Sequence, residues 1–422
     1  MKFSCLIIGL AAAATLHAAT TPEEIPIDST FLASIRAEAV RHHPEVAAKA
    51  ARARAAAHGI RAVRLWDDPM IGFSLKAAEQ QMRRDEGDMR ISFDQPLPRP
   101  KLTAAKRQQA REETLAKQEE IKVSANDLAA EAARSVIELA LADETLALRS
   151  AQLRWVSAMI ENARQKAATP GASSTDALRL ETERLRDQQM LAADRRTRQS
   201  MAEQLNILLG RSITAAWPTL RLPAGTTPTP LASSEVARIN RTNPEILGLV
   251  HMAEATGAAT TVAEREAKPS FALSVESNIY SGGGFRDAMI GLKMNLPWFN
   301  HSAYQAGISQ ATEEHRAAVM EIEAARRSVK TRVIAAANEA ANAAIQANAY
   351  SGDILTSATR ANETTESAWM SSGATLLDVL ESRRSLSEIR LEQRRFVAAH
   401  LAALETLSSL VPPTATLSSR HH

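Results

Sequence analysis

The residues of this chain that could do chemistry lie on alternating segments, and their spacing speaks for electrostatics rather than covalent catalysis. Ser74, Lys76, Arg90, Ser92 and Asp94 alternate with Ile71, Phe73, Leu75, Ile91 and Phe93. Further on, Ser274, Glu276, Lys293 and Asn295 alternate with Phe271, Leu273, Val275, Ile290, Leu292 and Met294. A period of two puts one set on each face of a β-strand. If the polar face lines water, Asp94 or Glu276 repeated around an oligomer forms a ring of carboxylates, a device of cation-favouring pores. The plainer alternative for each is a solvated wall residue with no selectivity. No reactive set accompanies them. The only cysteine is Cys5. His42, His43, His58, His251, His301, His315 and His400 are scattered without His-x-x-x-His spacing, and His421-His422 reads as a tail. With no Gly-rich phosphate loop and no nucleophile elbow, the chain reads as no enzyme, with no cofactor and no metal site.

The apolar face of these segments has two possible covers. A small soluble sheet would bury it against a helix; an outer-membrane barrel would turn it to lipid and its polar partner to water. Segments of about 9–11 tilted residues cross a bilayer. Each pair would be a hairpin, with Ala77 to Gly87 and Asn278 to Arg286 as loops. Four strands are too few for a membrane barrel, which starts at about eight, and open edges are not tolerated in lipid. Transmembrane strands would therefore have to be shared, about 8, 12 or 16 for two, three or four copies. The strand count requires oligomerisation and leaves the number of copies open.

The elements that must position these strands are long helices, and they occur twice. Asn243-Pro244-Glu245 answers His43-Pro44-Glu45, Pro269 answers Pro69, Pro297 answers Pro96, Gly373 answers Gly171, and Asp378-Val379-Leu380 answers Asp176-Ala177-Leu178. The offset of about 200 residues is a duplicated half-molecule, far longer than a solenoid unit of about 20–50. From Lys101 to Thr169 no glycine or proline occurs, and a continuous helix there would be roughly 100 Å long. Leu139, Leu146, Leu153 and Ile160 make a heptad seam. Thr169-Pro170-Gly171 ends the helix, and Ser173, Ser174 and Asp176 offer caps for a return arm to Gly210. The second half repeats this from Ser302 to Ser372, with Gly307 and Gly352 as interruptions and Ser371-Ser372-Gly373 as its turn. The expected organisation is a first repeat over 31–215, a Pro-rich linker over 216–231, a second repeat over 232–411 and a disordered tail over 412–422.

Residues 1–19 read as a secretory signal peptide: Lys2, an apolar run from Leu6 to Leu16, then small residues. Cys5 precedes the apolar run, so a lipid anchor is not expected, and the mature chain has no disulfide to form. Export without disulfides suits a Gram-negative envelope. No later stretch of 18 apolar residues occurs, so no transmembrane helix is expected. The 50 basic and 48 acidic side chains are mixed along the chain and leave a net charge of +2, which argues against nucleic acid as a partner.

These features together resemble the outer-membrane efflux protein family, the TolC-like channels. The resemblance runs from Phe31 to Val411 and is carried by the Pro44 and Pro244 helix starts, Phe93-Asp94-Gln95-Pro96-Leu97-Pro98, Met294-Asn295-Leu296-Pro297-Trp298-Phe299, and the two turns. It implies a mainly α fold with a small β part: a homotrimer with a 12-stranded β-barrel in the outer membrane and a coiled-coil α-barrel in the periplasm. It also implies a periplasmic adaptor and an inner-membrane pump of RND type as partners. Pro96-Leu97-Pro98 and Pro297-Trp298-Phe299-Asn300 resemble the heavy-metal-cation efflux, CzcC-like branch; the family's frequent Gly-Lys after the first proline motif is here Pro100-Lys101. By resemblance the tips carrying Gly171, Asp176, Gly373, Asp378, Val379, Leu380, Arg383 and Arg384 are gate and adaptor-docking surface. Asp176 and Asp378 have the alternative role of first-turn acids or caps. Arg179, Arg184 and Arg186, with Arg383 and Arg384, could hold a closed state through ion pairs. The alternatives are a TolC-like channel for drug efflux or type I protein secretion and, from a different class, a periplasmic coiled-coil adaptor or structural protein.

Overall fold

A computed structural model describes residues 24–75, 89–167, 175–228, 233–279 and 285–411. The signal segment with Cys5, Lys76, the loop calls at Ala77–Gly87 and Gly282–Gly284, the first turn with Pro170, Gly171, Ser173 and Ser174, and the tail lie outside them.

Two helical runs dominate. Helix α3 (Pro100–Ala167) is 68 residues without a break, as its lack of interior glycine and proline dictates. At 1.5 Å per residue it is about 100 Å long. Shorter helices cover it end to end: α1 (Ser29–His42) and α2 (Pro44–Ala62) on the strand side, α4 (Thr175–Leu208) on the other. The second half answers with α5 (Ser233–Thr242), α6 (Pro244–Glu266), α7 (His301–Ala349), α8 (Leu355–Met370) and α9 (Leu376–Leu410).

The duplicated Pro44 and Pro244 open helices for the same reason. Proline fits the first helical position, where no N–H is needed, and the residue before it caps. His43 Nδ1 accepts from Glu45 N at 3.3 Å, and Asn243 Oδ1 accepts from Ile246 N at 3.2 Å. Asn243 is buried and its Nδ2 also donates to the Leu410 carbonyl at 2.9 Å, tying α6 to the end of α9.

The halves differ in their long helices. Gly307 does not interrupt α7, contrary to the sequence expectation, whereas Gly352 does. Between α7 and α8 a single π-turn, Tyr350–Ile354, holds Gly352 at φ −90°, ψ −117°, outside the helical region. A π-bulge of this kind is a usual cause of a helix kink.

The segment expected as a plain linker is built into the core. Strand β4 (Thr219–Arg221) pairs in parallel with β1 (Glu24–Pro26), register Ile25 to Leu220. Trp217, Leu220 and Leu222 bury among Ile35, Val136, Ile137, Leu139 and Leu205. Asp143 on α3 holds this belt: it takes Arg198 Nε at 2.8 Å and the backbone N–H of Leu220 at 2.9 Å. Asn206 accepts from Trp217 Nε1 at 2.7 Å and donates to the Ala215 carbonyl at 2.8 Å. In the heptad seam, Leu139 and Ile160 are buried, but Leu146 and Leu153 are only half-buried.

Asp143→Ala strands the half-buried Arg198 and an unpaired amide. We expect a loss of about 3 kcal/mol, the low end for breaking a buried pair because Arg198 keeps some solvent, read as a lowered Tm in thermal unfolding.

Candidate functional site

The four alternating segments form one antiparallel sheet of order β2 (Met70–Leu75), β3 (Met89–Pro96), β5 (Ser270–Ile279), β6 (Phe285–Asn295). Each half supplies a hairpin, and β3 joins β5 across the repeat. The registers decide the faces. Ile71 sits opposite Phe93, Phe93 opposite Val275, and Val275 opposite Ile290, while Phe73 meets Ile91, Leu273 meets Leu292 and Phe271 meets Met294. Every expected lipid-facing residue thus lies on one face. Ser74 pairs with Arg90, Ser92 with Glu276, Asp94 with Ser274, Ala272 with Lys293 and Ser270 with Asn295 on the other.

Among the described residues, nothing covers the apolar face. Ile71 and Ile290 are each 75% exposed, Leu75 70%, Leu292 65% and Phe73 60%. A contiguous apolar face this open marks an interaction surface rather than a soluble exterior. The polar face carries small residues at its centre, where Ser274 is buried. A Cβ on Gly72 would stand 2.4 Å from Ser92 Oγ, and one on Gly291 2.8 Å from Ser274 Oγ. Large side chains on one face and glycine and serine on the other favour curling toward the small face, as barrel closure needs.

The expected carboxylate ring is charge-compensated. Lys293 Nζ donates to Asp94 Oδ1 at 2.6 Å and lies 3.8 Å from Glu276, which also meets Arg90 at 3.7 Å. Where strands give way to helices, Trp66, Trp298 and Phe299 are exposed. Amphipathic and aromatic side chains gather at such levels in membrane interfaces.

The opposite end is a paired tip. Val156, Met159, Ile160, Leu180, Trp369, Leu376, Val379 and Leu380 form its core. Val379 and Leu380, expected on a docking surface, therefore face inward, and the exposed apolar residues at this level are Leu178, Met370 and Leu377. The two hairpins are laced together. Lys166 donates to the Trp369 carbonyl and stacks on its ring, and Trp155 Nε1 donates to Glu366 at 3.2 Å. Arg383 bonds Gln152 at 2.9 Å and lies over the Trp155 ring, and Arg384 pairs with Glu183 at 2.8 Å. Arg164 pairs with Glu181 at 2.7 Å; neither Arg179 nor Arg186 makes an ion pair among the described residues. Burial lowers the Arg383 proton affinity and raises that of Asp187, where Glu183 adds repulsion.

Asp378 is the third residue of a capping box, not the cap itself. Thr375 caps α9, and the Thr375 hydroxyl and backbone N–H hold the Asp378 carboxyl below its ordinary range. Asp176 sits in the first turn of α4. In the second turn the left-handed residue is Ser372 (φ 63°), not Gly373, whose N–H returns to the Ala368 carbonyl at 2.7 Å.

One cluster escaped the sequence reading, which found no metal-ligand set. Glu112 on α3 and His251 and Glu254 on α6 bring three ligand atoms within 4.8 Å of one another. A hydrogen bond to Glu112, then burial, raises the proton affinity of Glu254. His251 and Glu254 are three residues apart on one helix face, but Glu112 is 139 residues from His251. Helix α6 is also apolar and long enough to cross a membrane by composition, yet it packs along α3 and α7.

Against known proteins, the architecture is that of outer-membrane channels. A family model described as outer membrane efflux protein matches residues 237–411, the second repeat and part of α5. The outer membrane protein VceC from Vibrio cholerae superposes with TM-score 0.76 at 16% identity, covering 90% of this chain and 96% of that one. CusC, described for conformational changes accompanying folding and transmembrane channel formation, gives TM-score 0.77 at 16% identity over 90% and 91%. The open state of the Neisseria gonorrhoeae MtrE outer membrane channel gives 0.71 at 16% over 90% and 88%. No curated protein matches. The chain has the fold of these channels, and its residues 237–411 match the outer membrane efflux protein family model.

At the tip, Ser372→Val should cost about 1–2 kcal/mol because a branched side chain opposes the left-handed backbone. Ser372→Gly and Gly373→Ala should be tolerated. Thermal unfolding of the three variants separates this from a turn that depends on Gly373.

Proposed function

We propose that this chain is the outer-membrane channel of a tripartite efflux system, a passive conduit across the outer membrane and periplasm. The observation that carries the reading is the uncovered apolar face of a four-stranded sheet whose two edges, β2 and β6, have no partner strand among the described residues. In lipid an open edge is excluded. Because the four strands alternate in direction, β6 of one copy meets β2 of the next in antiparallel sense, and copies can close a ring. Three copies give 12 strands and are favoured by the shared fold. Strands β5 and β6, with 10 and 11 residues, match a tilted crossing.

On this reading Ile71, Phe73, Leu75, Ile91, Phe93, Phe271, Leu273, Val275, Ile290, Leu292 and Met294 meet lipid. Ser74, Lys76, Arg90, Ser92, Asp94, Ser274, Glu276, Lys293 and Asn295 line the lumen. The 68-residue helix and its counterpart carry the conduit through the periplasm to the paired tip. The tip is the gate and takes a periplasmic adaptor, which links the channel to an inner-membrane pump of RND type. Leu178, Met370 and Leu377 offer the adaptor apolar contact, and the Arg383 and Arg384 links hold the hairpins of the closed tip. The narrower assignment to heavy-metal cations is supported by Pro96-Leu97-Pro98 and Pro297-Trp298-Phe299-Asn300. The compensated Asp94–Lys293–Glu276 set makes the barrel a permissive passage, so cargo choice falls to the pump.

The protein should fractionate with the outer membrane as a heat-sensitive oligomer. Phe73→Arg or Leu292→Arg should impair insertion, since a cation on the lipid face near mid-membrane costs about 2–4 kcal/mol, whereas Ser74→Arg should insert. Equal defects at both faces, or recovery as a soluble periplasmic monomer, would sink the assignment.

A further inference from the structure

We infer that Glu112, His251 and Glu254 form a binding site for a divalent transition-metal ion that clamps the first half of the chain to the second. The site lies in the helical wall itself, and the inference does not depend on what the conduit carries. Its three ligand atoms come from two helices that belong to different repeats, and α3 and α6 pack against each other along the strand-proximal part of the helical body.

The geometry suits a four-coordinate ion. His251 Nδ1 lies 2.9 Å from Glu112 Oε2 and 3.9 Å from Glu254 Oε2. With metal–ligand bonds of about 2.0–2.2 Å, ligand atoms around a tetrahedral ion stand about 3.4 Å apart. The observed separations bracket that spacing, so an ion entering between them needs only side-chain adjustments of a few tenths of an ångström to about one ångström. The deepest ligand is already aimed. Gln108 Nε2 donates to Glu112 Oε1 at 2.7 Å, which holds that oxygen and leaves Oε2 turned to His251. A partner that orients a ligating carboxylate in this way is characteristic of metal sites.

Exposure rises across the set: the Glu112 side chain is 10% exposed, His251 26% and Glu254 57%. The ion therefore has an entry path through the Glu254 side, and the fourth position faces solvent. One imidazole with two carboxylates selects zinc, cobalt or nickel over magnesium and calcium, which take oxygen ligands alone. Since Glu112 comes from one repeat and His251 and Glu254 from the other, a bound ion cross-links α3 to α6.

The test uses the purified full chain with His421→Ala and His422→Ala, so that the terminal histidines contribute nothing. Calorimetric titration with zinc chloride should give one ion per protomer. Cobalt(II) should develop the visible absorption of a tetrahedral site, and Tm should rise with zinc concentration. Glu254→Gln, at an exposed position that cannot disturb folding, should weaken zinc at least tenfold and flatten the Tm response. His251→Ala should abolish both, with oligomer and helix content unchanged. Magnesium should compete poorly. Absence of zinc binding, or binding with unchanged affinity in both Glu254→Gln and His251→Ala, would overturn the site. Neither result bears on the channel assignment, which is read by fractionation and insertion.

Discussion

An unfinished sheet governs this molecule. A four-stranded antiparallel sheet exposes a row of backbone donors and acceptors along β2 and β6 and a continuous apolar face between them. In water, such edges and faces invite aggregation. In lipid, the face is satisfied at once but the edges are not. On the proposed reading, pairing β6 of one copy with β2 of another resolves both, and oligomerisation would follow from the hydrogen-bond inventory of the strands.

The helices extend that logic away from the membrane. Each half contributes one long helical run backed by three shorter helices, and α3 alone extends over about 100 Å. The belt at Asp143, Arg198, Asn206 and Trp217 fastens the wall halfway along, where α1, α4, β1 and β4 meet α3. The two halves are not equivalent. Helix α3 runs unbroken, whereas α7 and α8 are separated by the turn at Gly352. Beyond that turn the second hairpin is tied to the first by Trp155–Glu366, Arg383–Gln152 and Arg384–Glu183. Of these, only Arg384–Glu183 is an ion pair near the surface, a kind that contributes about 0–1 kcal/mol; the Trp155 and Arg383 bonds are part-buried.

Much of this was legible in the sequence because it is written locally. Proline at Pro44 and Pro244, the absence of breakers from Lys101 onward, and period-two alternation around Phe73 and Leu292 each act over a few residues. They gave the helices, the hairpins and the two faces of the sheet. What escaped depends on distant partners. The parallel pairing of Glu24 with Thr219, the Lys293–Asp94 bridge across repeats, and the approach of Glu112 to His251 leave no spacing signature in either segment. At the tip the turn at Ser371-Ser372-Gly373 was legible, but not that Ser372 rather than the glycine takes the left-handed conformation. Val379 and Leu380 were placed with the docking surface by resemblance alone, and the hairpin pairing turns them inward.

Pairing of β6 with β2 between copies is the step on which the account stands, and disulfide trapping reads it directly. In a chain with Cys5 replaced by serine, Leu292→Cys would be combined in turn with Ile71→Cys, Phe73→Cys and Leu75→Cys, and oxidised in native membranes. The account predicts that the pair nearest the shared register forms intermolecular disulfides and yields a covalent ring of three chains on denaturing gels. Oxidation that leaves every combination monomeric, while the protein remains folded in the membrane, would contradict it.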